Sequence, residues 1–171
     1  PGRKWTMAEA LPVVQDSLTG RNFDQGKAMF TASLCSSCHS IRGEGGSVGP
    51  DLTQIGTRFS SKDILESIIE PSKEISDQYA ATNFHLKDGS SVIARLIRED
   101  NEKYYVSQNP FAPQTLREIP KKDVASAKTS DVSIMLPGLI NRLNADELRD
   151  LMAYLMAGAD KENKAFKGKT K

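Results

Sequence analysis

The run Cys35-Ser36-Ser37-Cys38-His39 constrains this chain more than any other stretch of it. A two-residue spacer keeps both sulfurs within one turn of chain, and the histidine is carried in directly behind them. Cys-x-x-Cys-His is the attachment signature of a c-type haem, in which both sulfurs bond one edge of the porphyrin and the histidine becomes the proximal iron ligand. Other chemistries use the same cysteine spacing. A thioredoxin-like pair follows a strand in a βαβ unit, whereas a helical pattern precedes this one. A structural zinc takes about four ligands, for which the chain offers its two cysteines with His39 and His85. A disulfide between Cys35 and Cys38 accounts for neither His39 nor the residues downstream.

The 171 residues, 38% hydrophobic and 26% charged, match an ordinary globular composition able to bury a core. No apolar run reaches the roughly 18 residues of a membrane span, and the opening Pro1-Gly2-Arg3-Lys4 has no signal-peptide pattern, as expected of a mature or excised domain. Net charge is +1 before any cofactor is counted, which gives nucleic-acid binding no support. The one basic run, Lys161, Lys164, Lys167, Lys169 and Lys171, reads as a solvated tail.

Helical and β patterns occupy different parts of the chain. Thr6 with Glu9 reads as a capping box ahead of a Leu11, Val14, Leu18 stripe, which Pro12 should start or kink. Asn22 with Gln25 opens a second helix whose Phe23, Gly26, Phe30 and Leu34 lead into the cysteine motif, placing the motif at a helix C-terminus. Residues 40–59 are glycine-rich and non-periodic, hence a loop. A phosphate cradle is excluded there, because no strand feeds the glycines and no Gly-Lys-Ser/Thr follows them. Ser60 and Asp63 cap a short helix bearing Ile64, Leu65, Ile68 and Ile69, which Pro71 ends. Between about Tyr79 and Lys128 the period changes to alternation, with Asp88-Gly89 as a hairpin turn and four or five strands expected. Asn144 and Glu147 then cap the clearest helix, striped by Leu148, Leu151, Met152 and Leu155 and stopped by Gly158.

A haem iron bound by one histidine takes a second axial ligand for electron transfer, commonly a methionine. Met29, Met152 and Met156 fall on helical segments as core candidates, and Met7 lies in the first turn of the first helix. Met135 stands apart in the irregular stretch Ser133-Ile134-Met135-Leu136-Pro137-Gly138, where a flexible thioether can reach over a haem face. It is the leading candidate, and His85 on an expected strand is its competitor. The free ring nitrogen of His39 needs an acceptor, for which the Pro50 carbonyl is the leading candidate. Arg58 suits a haem propionate, with an exposed arginine as the equal alternative. Leu52, Ile55 and Phe59 are candidates for the haem lining or for ordinary core.

Gly20-Arg21, Gly26 and Phe30 stand before the motif. After it come Gly49-Pro50-Asp51-Leu52-Thr53, Gly56-x-Arg58, Ile68-Ile69-Glu70-Pro71-Ser72, Asp88-Gly89, Ser133-Ile134-Met135, Gly138-Leu139 and Glu147-Leu148-x-Asp150-Leu151-x-Ala153-Tyr154-Leu155. Over about Trp5 to Gly158 this pattern resembles class I cytochrome c, in particular the planctomycete-type haem-binding domain with an inserted β region. In this chain Leu136 stands between Met135 and Pro137, where that family tends to place proline directly after the methionine. The resemblance implies a mainly α cytochrome c fold with a small antiparallel β insertion, α+β overall. The expected division is a haem domain of residues 1–78 and 129–160, a β subdomain of 79–128 and a flexible basic tail of 161–171. It also implies that the helix bearing Gly26 and Phe30 crosses the last helix near Tyr154. One haem c on Cys35 and Cys38 is implied, with Met135 as distal ligand and Pro50 as acceptor for His39.

The leading function is a one-electron carrier, not an enzyme, with His39 and Met135 bound throughout the redox cycle and with redox donor and acceptor proteins as partners. Related proteins set such domains at the end of periplasmic dehydrogenase-like proteins, so the resemblance implies an extracytoplasmic setting, as a dehydrogenase module or as a free carrier. The alternative is a haem gas sensor or peroxidase-like enzyme with a labile sixth ligand. The β insertion reads equally as a docking element or as a cover for haem surface.

Overall fold

Helix starts in this chain are written in side chains that accept from their own backbone. In the computed structural model, which describes residues 3–15 and 18–168, Asn22 Oδ1 accepts the Gln25 N–H at 2.9 Å. Ser60 and Asp63 form a reciprocal capping box, as do Asn144 and Glu147. Each satisfies N–H groups that a helix leaves unpaired at its start. The helices are α1 (Met7–Gln15), α2 (Phe23–Ala32), the single turns α3 (Cys35–Cys38) and α4 (Ile55–Arg58), α5 (Ser61–Ile69) and α6 (Ala145–Met156). Strands β1 (Ser40–Ile41) and β2 (Glu44–Gly45) make a short hairpin. Residues up to Pro71 and from Pro137 onward form one compact unit, and Ser72–Leu136 forms a second.

In the first unit α2 and α6 cross closely. A Cβ built on Gly26 would lie 2.4 Å from the Asp150 carbonyl oxygen and 2.8 Å from Tyr154 Cβ, so only glycine lets the backbones meet here. Tyr154 fills the rest of the crossing, with its ring 5.6 Å from Phe30 and 5.4 Å from Phe23. Asp150, 3% exposed, accepts the Asn22 N–H at 3.0 Å and lies 3.1 Å from Arg21 Nε, so its buried charge is compensated. The stripe of Leu148, Leu151, Met152 and Leu155 is buried as expected.

Two details of this unit differ from expectation. Pro12 lies inside α1, and the buried face there is Ala10 and Val14, with Leu11 only half-buried. Trp5 explains the change: it is 2% exposed, its indole N–H donates to Leu143 O at 2.9 Å, and Arg149 Nε donates to Val13 O at 3.0 Å. These ties choose the face of α1 that turns inward. Residues 161–168, expected within a flexible tail, include a 3-10 turn at Lys164–Phe166. Ala165 O accepts the Arg21 N–H at 2.8 Å, and Phe166 meets Phe23 edge-on at 5.3 Å, so this segment is tied to the start of α2 despite its lysines. Residues 169–171 lie outside the described residues.

The second unit is a five-stranded antiparallel sheet: β3 (Thr82–Leu86), β4 (Ser91–Glu99), β5 (Lys103–Ser107), β6 (Arg117–Pro120) and β7 (Val124–Thr129), in the order β6-β5-β4-β3-β7. The Asp88-Gly89 turn is present, with Gly89 at φ 90 and Asp88 Oδ1 accepting the Ser90 N–H at 2.9 Å. β6 and β7 are opposite edges of the sheet, yet only the 3-10 turn Lys121–Asp123 joins them. The four Cα steps from Pro120 to Val124 reach about 14 Å at most, less than the roughly 19 Å across five strands of a flat sheet, so the sheet must curl until its edges approach. The curl encloses Phe84, Val92, Ala94, Val106 and Ile119, a core of this unit's own. The protein thus combines helices with an antiparallel sheet.

Two substitutions test these packings by chemical denaturation. Gly26→Ala should lose about 3 kcal/mol, the upper range for overpacking, because backbone rather than a flexible side chain blocks the added methyl. Phe84→Ala should lose about 3–5 kcal/mol in the unfolding of the β unit.

Candidate cofactor site

α2 stops before the cysteine motif. Ser33 N–H caps it on Met29 O, and Leu34 adopts φ 63, a left-handed conformation that leucine rarely takes. The motif was expected at the end of that helix with Leu34 in its apolar stripe. Leu34 instead breaks the helix, is 45% exposed, and launches the separate turn α3. Closing that turn, the His39 N–H donates to Cys35 O at 2.9 Å. Cys35 and Cys38 therefore stand at i and i+3, on one face of a single turn.

The two cysteines form no disulfide. Burial pushes the Cys35 thiol up to about 12 and moves Cys38 in the same direction. A redox dithiol or a thiolate metal site calls for the opposite shift. Two cysteines three positions apart on one turn suit attachment to one edge of a porphyrin.

After His39 the chain turns back through the hairpin of β1 and β2. Gly46 N–H donates to Ser36 O at 2.9 Å and Gly49 N–H to Cys38 O at 2.8 Å, laying the returning loop on α3. His39 Nδ1 then lies 2.7 Å from Pro50 O. A carbonyl only accepts, so Nδ1 holds the proton and Nε2 keeps its lone pair. Burial moves the imidazole below its ordinary pKa, and the bond to Pro50 opposes this shift in part. The ring is thus neutral at pH 7, as metal ligation requires. Gly49 passes against its face: a Cβ there would lie 2.6 Å from Cε1 and 2.9 Å from Nδ1.

Leu52 is buried, and its N–H donates to Ser40 O at 2.8 Å. Ile55 opens α4 half-buried. Arg58 and Phe59 are exposed neighbours, the guanidinium 5.6 Å from the Phe59 ring centroid. Met135 belongs to the Ser72–Leu136 unit, where it is half-buried and its N–H donates to Ser133 Oγ at 3.1 Å. His85 sits on β3, with Nδ1 3.0 Å from Ser91 Oγ. Among the motif residues, then, Cys35, Cys38, His39, Pro50 and Leu52 converge in one unit.

The family model for cytochrome c matches residues 23–159. This chain belongs to the cytochrome c family. No curated protein matches it. As a cytochrome c it binds haem c covalently and transfers electrons between redox partners. The local geometry fits that cofactor: two cysteines on one turn, and an imidazole whose Nε2 lone pair is directed by an acceptor on the opposite nitrogen. Sequence reading missed the left-handed Leu34 and the bonds from Gly46 and Gly49 that press the loop onto α3, for which no residue pattern gives a signal. No helix among the described residues is long and apolar enough to cross a membrane.

Gly49→Ala should displace the imidazole. The expected outcome is a changed ferric absorption spectrum of the haem protein, together with a loss of about 1–3 kcal/mol of stability from overpacking.

Proposed function

We propose that this cytochrome c is a monohaem one-electron carrier with His39 and Met135 as axial ligands. The observation that carries the reading is the 2.7 Å contact of His39 Nδ1 with the Pro50 carbonyl beside the Cys35–Cys38 turn. The cofactor supplies the one-electron couple of its iron. Cys35 and Cys38 tether it covalently, so it stays with the chain through oxidation and reduction. Pro50 holds the His39 tautomer, so that Nε2 would offer its lone pair to the iron. Met135 supplies a thioether sulfur, a soft donor that favours the ferrous state and raises the potential. Support for Met135 comes from its irregular segment and the family resemblance around Ser133-Ile134-Met135.

Electron transfer with both axial ligands retained needs little rearrangement, and no substrate group has to be bound. The same resemblance supports an extracytoplasmic setting and a dehydrogenase as electron donor, with this chain as its electron-accepting module or as a separate carrier.

Protein from a maturation-competent host should give a pyridine haemochrome of haem c and a mass increment of one haem. Its ferric spectrum should be low-spin with a methionine-to-iron charge-transfer band. Met135→Ala should abolish that band and open the ferrous protein to carbon monoxide. A colourless product overturns the reading. Ready carbon monoxide binding by the native ferrous protein points instead to the sensor or peroxidase class.

A further inference from the structure

One exposed carboxylate links the two ends of the loop that runs from His39 to Pro50. Asp51 Oδ2 accepts from Ser40 Oγ at 2.7 Å, and Asp51 Oδ1 accepts the Thr53 N–H at 2.9 Å. Ser40 directly follows His39, and Asp51 directly follows Pro50. The His39–Pro50 and Ser40–Asp51 contacts both span eleven residues, so they are successive rungs between the same two stretches of chain. The bond from Leu52 N–H to Ser40 O, at 2.8 Å, is a third.

The far side of this clasp is anchored. Thr53 Oγ1 accepts the Arg42 N–H at 2.7 Å, and Arg42 Nε donates to Gly158 O at 3.1 Å, just past the end of α6. Asp51 is therefore braced against backbone that the helical frame holds. The bonds from Thr53 and Ser40 keep its carboxyl below the ordinary carboxylate range, so it is an ionised acceptor at neutral pH.

We propose that Asp51 is a positioning residue for the haem ligand His39, and that its clasp on Ser40 and Thr53 fixes the Pro50 carbonyl against Nδ1 and so sets the donor strength of Nε2. The inference rests on the reading of His39 as axial ligand. A firmly held Nδ1–H to carbonyl bond makes the imidazole more basic, and a more basic ligand stabilises ferric iron. Loosening the clasp should therefore raise the reduction potential. The Asp51 charge acts in the same direction by direct attraction to ferric iron, but from an exposed position that salt screens. Ser40→Ala separates the two effects, since it removes one rung and leaves the charge in place.

The test compares holoprotein of wild type, Ser40→Ala and Asp51→Asn. It reads the reduction potential at low and high salt and, by NMR of the ferrous form, the exchange rate of the His39 Nδ1–H proton. Both variants should show a raised potential. The rise in Ser40→Ala should persist at high salt, and its ring proton should exchange about fivefold faster, the factor of one net hydrogen bond. If Ser40→Ala equals wild type in both readouts while the Asp51→Asn shift vanishes in salt, Asp51 acts through charge alone and the proposal is overturned. A wild-type spectrum without His39 ligation overturns the site reading and this inference together. Wild-type ligation with an unchanged Ser40→Ala overturns only the inference.

Discussion

The arrangement around the cysteine motif depends on the 2.7 Å hydrogen bond between His39 Nδ1 and the Pro50 carbonyl. It decides the tautomer of the ring, and with it which nitrogen can reach a metal. A backbone carbonyl suits the task because it cannot donate and cannot rotate independently of the chain. Proline at that position has a fixed φ and no N–H of its own to satisfy. Gly49, one residue earlier, lets the backbone run against the ring face without a clash. Each part is small in energy, about 1 kcal/mol for a typical net hydrogen bond, but the bonds of Gly46, Gly49, Leu52 and Asp51 act on the same few residues.

That loop is useful only if α3 is held still, and the helical frame does this. α2 delivers the chain to Leu34, and α2 is fixed by its crossing with α6 at Gly26, Asp150 and Tyr154. α6 is held in turn by Arg149 on Val13 O, and the segment before it by Trp5 on Leu143 O, from residues that precede the family match. The left-handed Leu34 is the point at which the frame pays local strain to turn the cysteines out of the helix line. A redox protein gains from such rigidity, because a ligand set that does not move adds little to the cost of changing the iron charge.

The β unit follows a separate logic. Its core of Phe84, Val92, Ala94, Val106 and Ile119 is enclosed by the curl that the short link between β6 and β7 imposes. Lys103 with Glu118 at 2.8 Å, and Tyr105 with Asp100 at 2.9 Å, satisfy polar groups within the unit. It is a compact sheet with its own core, within a chain of the cytochrome c family.

Local signals were legible in the sequence wherever the cause is local. The capping residues Asn22, Ser60 and Asn144, the Asp88-Gly89 turn, the strand alternation and the Cys35-x-x-Cys38-His39 motif each act within a few positions, so residue identity alone announces them. The inward face of α1 and the packing around Lys164–Phe166 could not be read this way, because the distant partners Leu143 and Arg21 decide them, and the left-handed Leu34 is a conformation that leucine rarely takes and so does not announce. By itself the sequence determined the chemistry on offer, two thiols and an imidazole on one turn of chain. Only the tertiary structure decided how that chemistry is held: bonds from Gly46 and Gly49 lay the returning chain on the cysteine turn, and a carbonyl eleven residues away orients the imidazole. Burial and long-range hydrogen bonds exist only once the chain has closed on itself, which is why no local pattern encodes them.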